Sequence, residues 1–226
     1  MIRFRRLLTL SLFVFMSSSI GMAQDFTRYR DFQFGMSPDA VATQMHINPS
    51  EIRTTYRRPA VIQTVQWDKP GYSESGTKDK SIRSIRFDFY NGELSKMVVT
   101  YDPAATGGLT TDDMIEAISA LFGPATRPDR TIGVSALYQD NRTVLAAWDD
   151  EQYSYNLFRA TYGNTFGLVA FSKRLDLMAT VSIREADRLE TLEAPQRARS
   201  QQLKQEADKR AAEEKARLVN KPSFRP

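Results

Sequence analysis

The chain of 226 residues contains no cysteine and a single histidine, His46. The first absence removes disulfides, thiol nucleophiles, zinc–thiolate sites and iron–sulfur clusters. It also removes the cysteine that a bacterial lipoprotein needs at its cleavage site. The second leaves any Ser-His-Asp triad dependent on His46, and no G-x-S-x-G nucleophile elbow accompanies it. His46 is therefore read as a surface or partly buried structural histidine, and no metal or cofactor is expected. Long apolar runs are missing as well. The densest, Leu7 to Met16, is about half of the roughly 20 residues that a bilayer crossing takes.

What surrounds that run is informative. Arg3, Arg5 and Arg6 precede it, and Gly21-Met22-Ala23 follows it. A basic start, a short apolar stretch and small residues at the cleavage positions form a secretory signal, here 1–23. The competing reading is an uncleaved anchor, against which Ser17, Ser18 and Ser19 dilute the run. The expectation is a periplasmic or secreted bacterial protein, starting near Gln24, with no transmembrane segment after cleavage.

The net charge of +4 divides unevenly. Residues 24–195 hold 19 Lys+Arg against 23 Asp+Glu, whereas residues 196–226 hold nine against four. The body is mildly acidic and the tail is basic. A nucleic-acid-binding body is thereby disfavoured, and export makes nucleic acid a still poorer partner.

Hydropathy and punctuation predict an α+β fold. In "DFQFGMSPDAVATQM", Ser37 is an N-cap, Pro38 suits the first helical position, and Val41 and Met45 share a face. In "GGLTTDDMIEAISALFGP", Thr110 or Thr111 caps, and Ile115, Ile118 and Phe122 form a stripe with Leu121. Gly123 and Pro124 stop this helix. Antiparallel strands follow each helix. Val61, Val65 and Trp67 share one strand face, and Ile85, Phe87 and Phe89 alternate with Arg86 and Asp88. Asn91-Gly92 marks a two-residue hairpin. Later strands are predicted at about Ser135–Gln139, Thr143–Trp148, Tyr153–Thr161 and Phe166–Ser172. Trp67-Asp68 and Trp148-Asp149 each close an apolar strand.

The predicted body, 24–195, thus comprises helix-plus-antiparallel-sheet units at about 26–105 and 106–174, then a packing helix using Leu189 and Leu192. Tandem duplication and chance similarity both remain open as its origin. Pro195 is expected to interrupt that helix. Residues 196–226 are read as a basic tail, helical or partly disordered, with Glu206–Arg210 and Glu213–Arg217 pairs. Its stripe of Leu203, Ala207, Ala211 and Leu218 is too thin for a tight coiled coil.

Three clusters invite chemistry and have plainer explanations. Ser75-Gly-Thr-Lys78 matches the S-x-x-K spacing of serine–lysine acyl enzymes but lies in a Gly/Ser-rich loop without their other motifs. Asp149-Asp150-Glu151 lacks a calcium-loop pattern and reads as a charged turn. Asp112 and Asp113 read as helix capping, and they would repel an anion at Gly107-Gly108.

The doubled openings "FGMSPDAV" and "GLTTDDMIEAISALFGP" resemble repeats of the β-lactamase-inhibitory-protein class. They are also similar to small outer-membrane assembly lipoproteins of the SmpA/OmlA type. The likeness covers roughly Phe32–Met45 and Gly108–Pro124. The first unit lacks the Gly-Pro after its helix and has Asn48-Pro49 later, and the absent cysteine bars carrying over a lipid anchor. The whole chain, ending "VNKPSFRP", is also similar to secreted bacterial proteins without an assigned function. The resemblance implies a non-catalytic protein-binding scaffold and transfers no binding residue.

The functional expectation is an envelope protein-interaction module. Tyr153, Tyr155 and Phe166 are its candidate protein-binding residues, on an exposed aromatic sheet face. Arg197, Arg199, Lys204, Lys209, Arg210, Lys215 and Arg217 are candidates for contact with an anionic envelope surface. The alternatives are a hydrolase acting on an envelope polymer and an inhibitor or chaperone of another exported protein.

Overall fold

A computed structural model describes residues 24–69, 81–133, 141–159, 165–223 and 225. The predicted signal, Ser75 with Lys78, and the predicted strand at 135–139 lie outside the described residues. No described helix is long and apolar enough to cross a membrane.

The chain opens with a small hairpin, β1 (Arg28–Tyr29) and β2 (Phe32–Gln33), then α1 (Pro38–Gln44) and a 3-10 turn (Pro49–Glu51). Strands β3 (Arg53–Tyr56), β4 (Ile62–Asp68), β5 (Ile82–Tyr90) and β6 (Glu93–Tyr101) follow. A short helix α2 (Pro103–Thr106) leads to α3 (Thr111–Phe122), then β7 (Thr131–Gly133), β8 (Asn141–Asp149), β9 (Tyr153–Arg159) and β10 (Phe166–Ser172). The last element is α4 (Lys173–Asn220). Strands β3 to β10 make one antiparallel sheet in the order β3-β4-β5-β6-β10-β9-β8-β7. The α+β class read from the sequence is the observed one.

Local chemistry explains the elements. Asn91 and Gly92 both take positive φ, 48° and 81°, as the tight turn between β5 and β6 requires. Ser37 Oγ accepts from the Ala40 amide at the start of α1. At α3, Thr110 and Asp113 form a reciprocal capping box. Those hydrogen bonds to Thr110 hold the Asp113 carboxyl below its usual range. The buried stripe of α3 is Met114, Ile118 and Phe122, with Ile115 half-buried and Leu121 exposed. This corrects the predicted stripe. A strict i, i+4, i+8 line faces the sheet, and Leu121 points to one side of it. Val61 likewise precedes β4 at the rim of the sheet, tied to Asn91, while Val65 and Trp67 turn inward.

One sheet face carries the main core. Phe87, Phe89, Leu94, Met97, Val99, Trp148, Tyr155, Leu157 and Leu168 pack there beneath the N-terminal hairpin, α1 and α3. The alternate residues of the same strands, including Thr64, Arg86, Asp88 and Lys96, project from the other face. There the first half of α4 covers them, packing through Leu175, Ala179, Ile183 and Ala186. Small residues let the helix lie close to the strands. Lys96 Nζ bonds Asp176 Oδ1 at 2.6 Å beneath the helix and sits over the Phe171 ring.

Pro195 does not interrupt α4, which runs through it as one 48-residue helix. The bond that proline removes is the one to the Thr191 carbonyl. Residues 194–219 are exposed, so water can solvate that group instead. Leu189 is half-buried but Leu192 is exposed, so the predicted Leu189–Leu192 packing pair is replaced by the Leu175–Ala186 stripe. The predicted i,i+4 tail pairs are replaced by Lys209–Glu213 and Arg217–Glu214.

Two polar links fasten α4 to the β3 end of the sheet. Arg58 pairs with Glu193, and the Tyr56 hydroxyl donates to Asp187 Oδ1 at 2.5 Å. The Asp187 bond, then partial burial, pushes the Tyr56 hydroxyl up to about 12 from an ordinary 10. The folded state therefore keeps a proton that the unfolded state releases first. This contribution is complete below pH 10 and is lost as pH rises through 10 to 12. Amide exchange of α4 around 183–190 is expected to quicken across that window, and Tyr56→Phe is expected to remove the dependence.

Candidate functional site

The widest concavity among the described pockets is a groove on the main-core side, between the N-terminal hairpin and α3. It has room for about 640 Å³, within the size range of ligand-sized clefts. Its floor comes from Tyr101 at the end of β6 and Leu168 within β10, together with Met114 and Ile118 of α3. The Tyr29 and Tyr101 hydroxyls lie 3.4 Å apart in this floor. Burial, then the neighbouring Tyr29, pushes the Tyr101 hydroxyl well above its usual value, so it stays protonated. One wall is apolar and open. Leu109 is 43% exposed and Leu121 67% exposed.

The opposite rim is polar and of mixed sign, formed by Asp25, Arg28, Arg30 and Asp31. Arg28 pairs with Asp25 at 2.8 Å. Arg30 sits at the hairpin tip with φ of 55°, a left-handed conformation uncommon for a long side chain. From there its guanidinium lies over the Tyr29 ring and donates to Ser81 Oγ at 3.2 Å. The groove thus pairs an apolar wall and floor with donors and acceptors along one edge.

The predicted aromatic sheet face is corrected. Tyr155 is fully buried and Phe166 almost so, both in the main core. Tyr153 is half-buried and stacks on Phe34 at 5.1 Å. Phe26, Phe34 and Phe122 cover this part of the sheet, and the Tyr155 hydroxyl donates to the Phe26 carbonyl at 3.1 Å. A side chain sealed in this way has no surface to offer a partner.

The remaining candidates separate clearly. His46 is exposed, in a left-handed turn position after α1. Asp150 closes the β8–β9 turn by accepting from the Gln152 and Tyr153 amides, and Asp149 pairs with Arg130 at 3.2 Å. Asp112 pairs with Arg127. Among the described residues, no cluster of three or more acidic, histidine or cysteine side chains could hold a metal. The seven basic tail candidates all lie exposed on the distal half of α4. Arg197, Lys209 and Arg217 there are ion-paired to glutamates.

A second, smaller cavity of about 120 Å³ lies between α4 and the sheet, beside Arg86, Asp88, Lys96 and Asp176. Its two cations and two anions neutralise one another. Sequence reading found neither concavity. The groove depends on Tyr29, Tyr101 and Leu121, which come from three distant segments. The only signal in the sequence was the unusually apolar side of α3 at Leu121.

No protein-family model, curated protein or solved structure matches this chain.

Proposed function

We propose that this protein is a non-catalytic interaction module of the bacterial envelope, exported to the periplasm or beyond, whose groove beside α3 receives an apolar peptide segment of a protein partner. The observation that carries this reading is the solvent-open apolar wall of Leu109 and Leu121 above a buried floor. A polypeptide presents apolar side chains together with both N–H donors and carbonyl acceptors. That combination suits a groove whose edge holds both signs of charge and whose floor holds two hydroxyls. The basic distal half of α4 extends the module toward an anionic surface.

A tandem repeat is the architecture we assign to the body. Several observations support it. The strand order reads β3-β4-β5-β6 against β10-β9-β8-β7, so each unit contributes one four-stranded half. α1 lies on β4 and α3 on β8. Trp67 and Trp148 end β4 and β8, and both are buried on the core side. Gly35 and Gly108 each stand two residues before a helix N-cap with positive φ, 89° and 81°, which glycine adopts without strain. The groove falls between the halves, where the hairpin of one meets the helix of the other.

The test is photocrosslinking in the native host from a residue placed at Leu121, with Gln201 as an outside position. A protein captured from Leu121 would then be purified and its binding measured. Leu109→Lys with Leu121→Lys is expected to weaken that binding at least about tenfold, since two buried leucines contribute roughly 1.5–3 kcal/mol each. The melting temperature should stay unchanged, because both side chains are exposed in the free protein. Undiminished binding by this variant would exclude the groove.

A further inference from the structure

The outer side of α4 carries an order that its composition conceals. Arg188, Arg199, Arg210 and Lys221 recur at intervals of 11 residues. Eleven residues make three helical turns plus about 20°, so this period draws a nearly straight line along an undistorted helix. The four cations stand about 16 Å apart along it. Lys221 caps the helix and still has helical backbone angles. Leu192 and Leu203, also 11 residues apart, lie between the cations on the same line, and both are more than 60% exposed. The line is turned roughly 140° around the helix from the Leu175–Ala186 stripe that packs on the sheet, so it faces away from the body.

Charge pairing sharpens the pattern. Arg199, Arg210 and Lys221 have no ion pair among the described residues, while Arg188 pairs with Glu185 at 2.6 Å. Of the acids near the line, Glu214 is bound to Arg217 at 2.7 Å, leaving Glu206 as the one carboxylate there without an ion pair among the described residues. The result is a straight ridge, basic and interrupted by leucine, on a helix whose described residues beyond 197 are all exposed.

We propose that this ridge is a docking surface for an anionic phospholipid layer, with the helix lying along the membrane plane. It rests on, and makes specific, the reading that the basic part of α4 reaches an anionic surface. A straight ridge can meet a flat layer along its whole length, whereas a spiralling one touches only in places. The cations meet lipid phosphates, and Leu192 and Leu203 enter the headgroup–acyl boundary. A soluble polyanion would satisfy the cations and leave the leucines in water. The seven basic tail residues named from the sequence then divide. Arg199 and Arg210 lie on the ridge and Arg217 at its edge, while Arg197, Lys204 and Lys215 fall on the far side of the helix and Lys209 on its flank.

The experiment is co-sedimentation of residues 24–226 with phosphatidylglycerol–phosphatidylethanolamine vesicles, with phosphatidylcholine vesicles as the neutral comparison. A ridge variant carries R188Q, R199Q, R210Q and K221Q. A control of equal charge carries R197Q, K204Q, K209Q and K215Q. Each cation near an anionic layer adds an attraction that salt screens, so the ridge variant is expected to lose at least about tenfold in partitioning. The control should lose no more than about threefold, having lost only long-range attraction. Leu192→Ser with Leu203→Ser should also weaken binding, most visibly at high salt. Equal loss in the two charge variants would overturn the ridge. Binding insensitive to the leucine substitutions would overturn the lipid in favour of a soluble polyanion. Circular dichroism of each variant checks that α4 remains helical. The assay contains no protein partner, so failure of the groove reading leaves its outcome untouched.

Discussion

Tyr155→Ala is expected to cost about 3–5 kcal/mol, the range for emptying an aromatic site in a packed core. For a chain of this size that lowers the melting temperature by roughly 10–15 °C. The loss is large because Tyr155 touches three rings at once. Phe122, Phe26 and Phe34 have centroids 4.3, 5.8 and 6.4 Å from its own. These rings come from α3 and from the N-terminal segment, so the cavity would loosen the contact between the hairpin and the sheet. Tyr155→Phe keeps the ring and removes only the hydroxyl that satisfies the Phe26 carbonyl, at a cost of about 1 kcal/mol. Urea denaturation of both variants distinguishes the terms, with the slope unchanged and the midpoint moved. A Tyr155→Ala protein with an unaltered midpoint and impaired partner binding would restore the aromatic-face reading.

Asp176→Ala is the second large effect, for a different reason. Lys96 keeps only 10% of its side-chain exposure, and its ammonium reaches solvent poorly once α4 is in place. Breaking a buried pair by deleting one partner leaves an uncompensated charge, at about 3–5 kcal/mol. Asp176 is 24% exposed, and a cavity adjoins the pair. Water can therefore meet part of the demand, and about 2 kcal/mol is the expected loss. Replacing both groups, with Lys96→Met and Asp176→Leu, should recover most of it, because no charge is then stranded. Hydrogen exchange at residues 175–186 reports the event directly, since these amides belong to the turns that lie on the sheet. Glu185→Ala breaks an equally short pair with Arg188 on the outer face, and there solvent screening should leave the urea midpoint essentially unmoved. The contrast separates burial from distance as the source of the energy.

Much of the fold was legible because its signals are local. The Asn91-Gly92 turn, the alternation of Ile85, Phe87 and Phe89, and the caps at Ser37 and Thr110 each depend on a few neighbouring residues. Errors arose where tertiary contact selects among local options. Leu121 and Ile115 fit a helical stripe as well as Met114 does, and only the position of the sheet decides between them. Pro195 is a helix breaker by propensity, yet the turns before it are already fixed by Tyr56, Arg58 and the packing stripe. A single missing bond facing water does not end such a helix. Tyr153, Tyr155 and Phe166 show the same limit for the site. Period-two alternation states that they share a face, and it is silent on whether Phe26 and Phe34 come to cover it.

The sequence by itself determined the element types, the antiparallel hairpins and the α+β class, because backbone preferences and capping act within a few residues. It also determined the split between an acidic body and a basic distal helix, and the 11-residue spacing along that helix. Tertiary structure alone decided the pairing of β6 with β10, which joins residues some 70 positions apart. It decided which aromatic residues are core and where the groove opens. It also decided which side of α4 faces away from the sheet. Each of these depends on which distant segment removes a surface from water, a quantity with no counterpart in any short window of sequence.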